Sequence, residues 1–161
     1  MSIKLVIRNS PLPLKVVRAA ATWYADRLMG KRLANNITCR IDFIHEYELE
    51  SGTTGTCIWE DDHVRPREFS IELDSSLSWA TILENLAHEM VHVKQWARGE
   101  LKDVMRGHSL CKWKGVVIDT DKMDYYDSPW EIEAFGREYG LYIRWRDQYP
   151  PIKDIIGELN E

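Results

Sequence analysis

Cysteine is scarce in this chain: Cys39, Cys57 and Cys111 form an odd set at wide spacings. Such a set excludes a fully paired disulfide framework and fits reduced thiols in a cytosol. There is no C-x-x-C pair and no cysteine-nucleophile signature. Long apolar runs are also missing, so no stretch is long enough to span a bilayer, and the opening MSIKLVIRNSPLPLK has neither an extended apolar segment nor a small-residue cleavage site. The expectation is a cytoplasmic protein with no membrane partner. Positive charge is in deficit, 21 Lys and Arg against 26 Asp and Glu for a net charge of -5. Without a basic stripe to neutralise phosphates, nucleic acid is a disfavoured partner. Internal repeats, low-complexity tracts and linkers are lacking too.

What is present suffices for one core. The 161 residues are 44% hydrophobic and 11% aromatic, which predicts a single domain over 1–161. A monomer is the default, because no large unexplained apolar surface is evident.

Residues 3–7 read as a short strand. Ser10-Pro11-Leu12-Pro13 then opens a helix whose Val16, Val17, Ala20, Trp23, Tyr24 and Leu28 recur at helical spacing up to Gly30. Ile37, Cys39, Ile41 and Phe43 alternate with Thr38, Arg40 and Asp42, a period of two that marks a strand. A β-prone stretch at 56–60 and a second alternation of Phe69, Ile71 and Leu73 against Glu68, Ser70 and Glu72 complete a predicted sheet of about three antiparallel strands. Ser78 can cap a long helix with the apolar stripe Ile82, Leu83, Leu86, Met90 and Val93, ending near Gly99. The mixed composition of 100–127 predicts mostly irregular chain with one short helix. Ser128-Pro129-Trp130-Glu131 opens another helix, with Trp130, Phe135, Tyr139, Tyr142 and Ile143 expected inward and a stop at Pro150-Pro151. Ile152, Ile155, Ile156 and Leu159 suggest a last short amphipathic helix. Trp79, Trp96 and Trp130 read as core by default. The fold class expected is α+β.

One motif carries chemistry. Leu86-Ala87-His88-Glu89-Met90-Val91-His92 contains H-E-x-x-H on the long helix. Residues four apart share a helix face, so two imidazoles can converge on one ion at about 2.0 to 2.1 Å each. Glu89, one position on, points beside the metal, where a carboxylate can take the proton of a metal-activated water. With 5 histidines in the chain, a chance match is expected in about 1% of such sequences. The competing reading is a solvated helix whose histidines pair with nearby acids.

A catalytic zinc takes three protein ligands and keeps a fourth position open. Glu131, with Ala134 three residues on, is one candidate for the third. It competes with a structural role, since Ser128-x-x-Glu131 is also a capping box. Glu133 is a weaker substitute. His108, in Arg106-Gly107-His108-Ser109, is the rival, and its own bland reading is an exposed loop histidine.

The Glu131-Ile132-Glu133-Ala134 segment resembles the E-x-x-A of gluzincins, and HEMVHVKQ, KWKG and SPWEIEA look like segments of small phage-encoded and bacterial metallopeptidases. The likeness covers most of the chain, with H-E-x-x-H its one highly specific motif. It implies a minimal zincin-like fold: an N-terminal helix, a small antiparallel sheet, the H-E-x-x-H helix, and a later helix bearing the third ligand. It further implies a zinc-dependent metalloendopeptidase in which Glu89 is the general base, His88, His92 and Glu131 hold Zn2+, and a protein or peptide substrate pairs in extended form with the strand near Phe69 to Leu73. Gly107-His108 is similar instead to SprT-like peptidases, which act on DNA-bound proteins, although Ser109 stands where their glycine normally follows. A non-catalytic zinc-binding interaction module is the alternative from another class; retention of Glu89 argues against it. In gluzincins an aspartate commonly follows E-x-x-A, but Phe135 stands here, so another acid is expected to orient a ligating histidine. Tyr125, Tyr126 and Tyr139 are the phenols near enough in sequence to stabilise an oxyanion.

Overall fold

A computed structural model describes residues 2–45, 53–61, 64–104 and 107–149. Among them the chain is mixed α+β, with four helices and two small sheets. In chain order these are β1 (Lys4–Arg8), α1 (Leu14–Met29), the single-turn α2 (Lys31–Ala34), β2 (Thr38–Ile44), β3 (Gly55–Trp59), β4 (Glu68–Asp74), α3 (Trp79–Ala97), β5 (Leu101–Asp103), β6 (Leu110–Trp113), β7 (Val116–Asp119) and α4 (Pro129–Gln148). The residues expected to form a last helix, 152–159, lie outside the described residues. No helix among those described is long and apolar enough to cross a membrane.

The main sheet departs from the three-stranded antiparallel expectation. It has four strands in the order β1-β2-β4-β3, and β1, β2 and β4 run parallel. Only β3 is antiparallel, pairing Gly55 with Leu73 and Trp59 with Phe69. After β2 the chain passes to the outer position, forms β3, and returns through the gap as β4. β4 is therefore an interior strand with ladders on both sides, and Phe69, Ser70, Ile71, Leu73 and Asp74 are all buried. The stretch near Phe69 to Leu73 thus has no free edge for a substrate; the terminal strand on that side is β3.

One face of this sheet, with Cys39, Ile41, Phe43, Phe69, Ile71 and Leu73, joins α1, α3 and α4 in a continuous core. α3 starts where Ser78 Oγ accepts a bond from Thr81 N–H at 3.2 Å, a conventional N-cap. It ends before Gly99, whose φ of +69° suits the left-handed turn that closes a helix. Its stripe of Ile82, Leu83, Leu86, Met90 and Val93 is fully buried. The buried Tyr24 of α1 donates its hydroxyl to Leu83 O at 3.0 Å, fixing the two helices against each other.

α4 buries only part of the face expected: Tyr142 is buried and Ile143 packs against the core. Glu131, Ala134, Leu141, Tyr142 and Trp145 are inward, while Phe135 and Tyr139 are exposed. Both are apolar and helically spaced, but they lie one residue round from the 131–134–138–141–145 stripe that packs on α3. Trp79 and Trp96 are half-buried against the core; Trp130 is half-buried and faces Trp113, with ring centroids 6.2 Å apart.

Segment 100–127 is not mostly irregular. β5, β6 and β7 form an antiparallel sheet, and Lys114-Gly115, both at positive φ, make the two-residue turn that matches hairpin twist. Two single 3-10 turns, Thr120–Lys122 and Tyr125–Asp127, lead into α4.

Candidate metal centre

α3 presents His88 and His92 one turn apart, and the first turn of α4 crosses them with Glu131. The Nε2 atoms of the two histidines are 3.2 Å apart. His88 Nε2 lies 3.2 Å from Glu131 Oε2, and His92 Nε2 lies 3.3 Å from Glu131 Oε1. All three side chains are buried, and together they can hold a metal ion. Neither rival takes part. Glu133 is bound by Lys94 Nζ at 2.7 Å, and His108 is exposed in the connection between β5 and β6. Nor does Ser128 engage Glu131 in a capping box: its side chain makes no cap bond, and its Oγ reaches Asp124 O at 3.4 Å.

The outer ring nitrogens decide what faces inward. His88 Nδ1 sits 2.6 Å from Glu138 Oε2, a carboxylate that can only accept when ionised, so Nδ1 carries the proton. His92 Nδ1 sits 2.8 Å from Gln95 Oε1. The Gln95 amide cannot be reversed, because its Nε2 donates to Trp130 O at 2.9 Å and Glu133 Oε1 at 3.0 Å. His92 is therefore also an Nδ1–H tautomer. Both neutral imidazoles then aim an Nε2 lone pair at the Glu131 carboxylate, whose Oε2 is buried with no hydrogen-bond donor in good geometry. Three acceptors facing one point call for a cation. With one ligand atom taken from each residue, the three lie within 4.8 Å of one another.

Without a metal, protons fill that point. Burial works against a charge on His88, but the hydrogen bonds it donates to Glu131 and Glu138 overcome it and raise its pKa to about 9. His92 is shifted upward against the same burial penalty, by Glu131 and Glu89. Burial pushes Glu131 up, yet the two imidazoles outweigh it and draw the carboxyl down to about 2.

Glu89 lies beside this triangle and makes no part of it. Burial raises its pKa, and the two histidines partly offset that. It lines a cavity of about 340 Å3 together with Thr53, Thr54, Gly55, Asn85, His88, Tyr125, Tyr126, Phe135 and Glu138. Gly55 makes room for it: a Cβ there would stand 3.0 Å from Glu89 Oε1 and 3.2 Å from the backbone Glu72 O. Tyr125 enters from the turn before α4, its pKa raised by burial and by the Glu131 carboxylate next to it. Tyr139 does not line the cavity.

Sequence reasoning missed Glu138, Gln95, Asn85 and Gly55. Glu138 was open to discovery, since it lies two turns after Glu131 on the same helix face, as Gln95 lies one turn after His92. Gly55 had no local signal, because its role depends on where β3 meets α3. No family model, curated protein or solved structure matches this chain.

Proposed function

We propose that the chain is a zinc-dependent metallopeptidase with a zincin-like arrangement of elements, hydrolysing peptide bonds of a protein or peptide substrate. The observation that carries this reading is the convergence of His88, His92 and Glu131, with both imidazole tautomers fixed from outside, next to an open cavity that His88 and Glu89 line. A buried structural site needs neither the cavity nor the carboxylate. Zinc, when bound, polarises a carbonyl and makes water nucleophilic near neutral pH.

The chain's own residues do the rest. Glu138 and Gln95 hold the two rings with their Nε2 atoms inward. Glu89, in the cavity and with an elevated pKa, takes a proton from the attacking water and returns it to the leaving amine. Tyr125, beside Glu131 and lining the same cavity, donates a hydrogen bond to the oxyanion. β3, whose Gly55 lines the cavity, is the terminal strand of the described sheet, so its outer row of backbone groups grips an extended substrate, in place of the interior β4. Three free thiols fit a reducing cytoplasmic setting.

Glu89→Gln tests the reading, with hydrolysis of a quenched fluorescent peptide library measured alongside bound zinc. Activity is expected to fall by about 10²-fold or more while zinc content is retained. Unchanged hydrolysis, or loss of zinc with the substitution, contradicts the assigned role. Tyr125→Phe is expected to lower kcat by about 10²-fold with KM little changed; an unaltered kcat removes Tyr125 from the mechanism.

A further inference from the structure

The aromatic side of the cavity has no evident task in holding the fold. Tyr125 is 54% exposed, Tyr126 70% and Phe135 43%, and large rings left in water forgo the stabilisation that burial gives. They are nonetheless ordered against one another. Tyr126 and Phe135 are tilted at 38° with centroids 5.8 Å apart, and Tyr125 meets Tyr126 edge-on at 5.1 Å. Phe135 also lies edge-on to His88 at 4.6 Å, so the group begins at the candidate metal centre and runs outward. Thr53, Thr54 and Gly55, at the start of the terminal strand, line the same cavity.

Resting on the hydrolytic reading above, we propose that this aromatic wall selects substrates carrying a bulky apolar side chain, aromatic or large aliphatic, next to the bond to be cut. An extended peptide laid along β3 sends every second side chain to the same face, and a side chain on the cavity side meets the wall. Ring faces also attract cations, but a lysine or arginine would find no uncommitted carboxylate there. Glu131 faces both histidines, Glu138 holds His88 Nδ1 at 2.6 Å, and Glu89 is reserved for proton transfer. The remaining polar lining, Thr53, Thr54 and Asn85, is uncharged.

The test uses zinc-loaded Glu89→Gln, which binds without turning substrate over, and a series of blocked hexapeptides differing at one position as Phe, Leu, Ala or Lys. Affinities are read by calorimetry. The Phe and Leu peptides are expected to bind about 10-fold or more tighter than the Ala and Lys peptides, as burial of one large side chain implies. Adding Tyr126→Ala, at an exposed position that leaves the fold and the metal ligands intact, is expected to erase most of that preference with zinc content unchanged. Adding Tyr126→Phe is expected to keep it. Tighter binding of the Lys peptide, equal binding of all four, no binding of any, or a preference untouched by Tyr126→Ala overturns the proposal. If the preference is found but the zinc-loaded wild-type chain leaves the Phe peptide uncut, the hydrolytic reading fails while the assignment of the wall stands.

Discussion

Glu138 Oε2 lies 2.6 Å from His88 Nδ1, and Glu138 stands two helical turns beyond Glu131 on α4. One helix thus supplies both a candidate metal ligand and the carboxylate that orients another, so a shift of α4 along α3 would disturb both at once. Ligand histidines released from such partners typically lose about 10- to 100-fold in metal affinity. Glu138→Ala is expected to weaken zinc binding by that factor, measured by competition with a chromophoric chelator. Unchanged affinity would mean that the contact does not set the tautomer.

Gly55 and Glu89 give a second expectation. In Gly55→Ala the new methyl is caught between Glu89 Oε1 at 3.0 Å, Leu73 Cδ2 at 3.1 Å and the immobile Glu72 O at 3.2 Å, and the carboxylate is the group most able to move. Misplacement of a catalytic group by about 1 Å can cost on the order of 10²-fold. Peptide hydrolysis is expected to drop by about 10-fold or more, with zinc content and far-ultraviolet circular dichroism unchanged. Full activity in the variant removes the link between that close approach and Glu89.

Much of this arrangement was legible along the chain. α1, α3 and α4 declared themselves by apolar residues at helical spacing and by Ser78 and Ser128-Pro129 at their starts, and H-E-x-x-H gave His88, Glu89 and His92 before any fold was known. The alternations in β2 and β4 identified strands but could not give their direction, because period two is the same for parallel and antiparallel pairing. That ambiguity led to the choice of β4, an interior strand, as the one expected to pair with a substrate. The hairpin of β6 and β7 escaped notice because Lys114-Gly115 is not one of the Asn-Gly or Asp-Gly pairs that signal such turns. Phe135 and Tyr139 were misread since apolar periodicity identifies a stripe without saying whether it meets the core or stays exposed. Glu131 was favoured over Glu133 and His108 through the E-x-x-A resemblance alone; the crossing of α3 by α4 that brings it to the histidines is a long-range packing that no local pattern encodes.

The shifted acidities predict a pH dependence. In the metal-free chain His88 has a folded pKa of about 9, above its ordinary 6.5, so the stability it adds is complete below about pH 6.5 and is lost as pH rises through about 9. Glu131, drawn down from 4.5 to about 2, adds stability that is present above about pH 4.5 and lost as pH falls through about 2. The metal-free protein is therefore expected to be most stable between about pH 4.5 and 6.5. Zinc competes with the same protons, so the gain in Tm on adding zinc should widen steadily from about pH 5.5 to 8.5. Thermal unfolding with and without a chelator measures it; a gain that is flat or shrinks over that range contradicts the shared site.

The central claim is that His88, His92 and Glu131 together hold one zinc ion, and elemental analysis of the purified chain after zinc loading and gel filtration tests it most directly. The account predicts about one zinc per chain in the wild type and in His108→Ala, and far less than one in His88→Ala, His92→Ala and Glu131→Ala. A folded wild-type chain that retains no zinc, or a Glu131→Ala variant that keeps its zinc while His108→Ala loses it, contradicts the account.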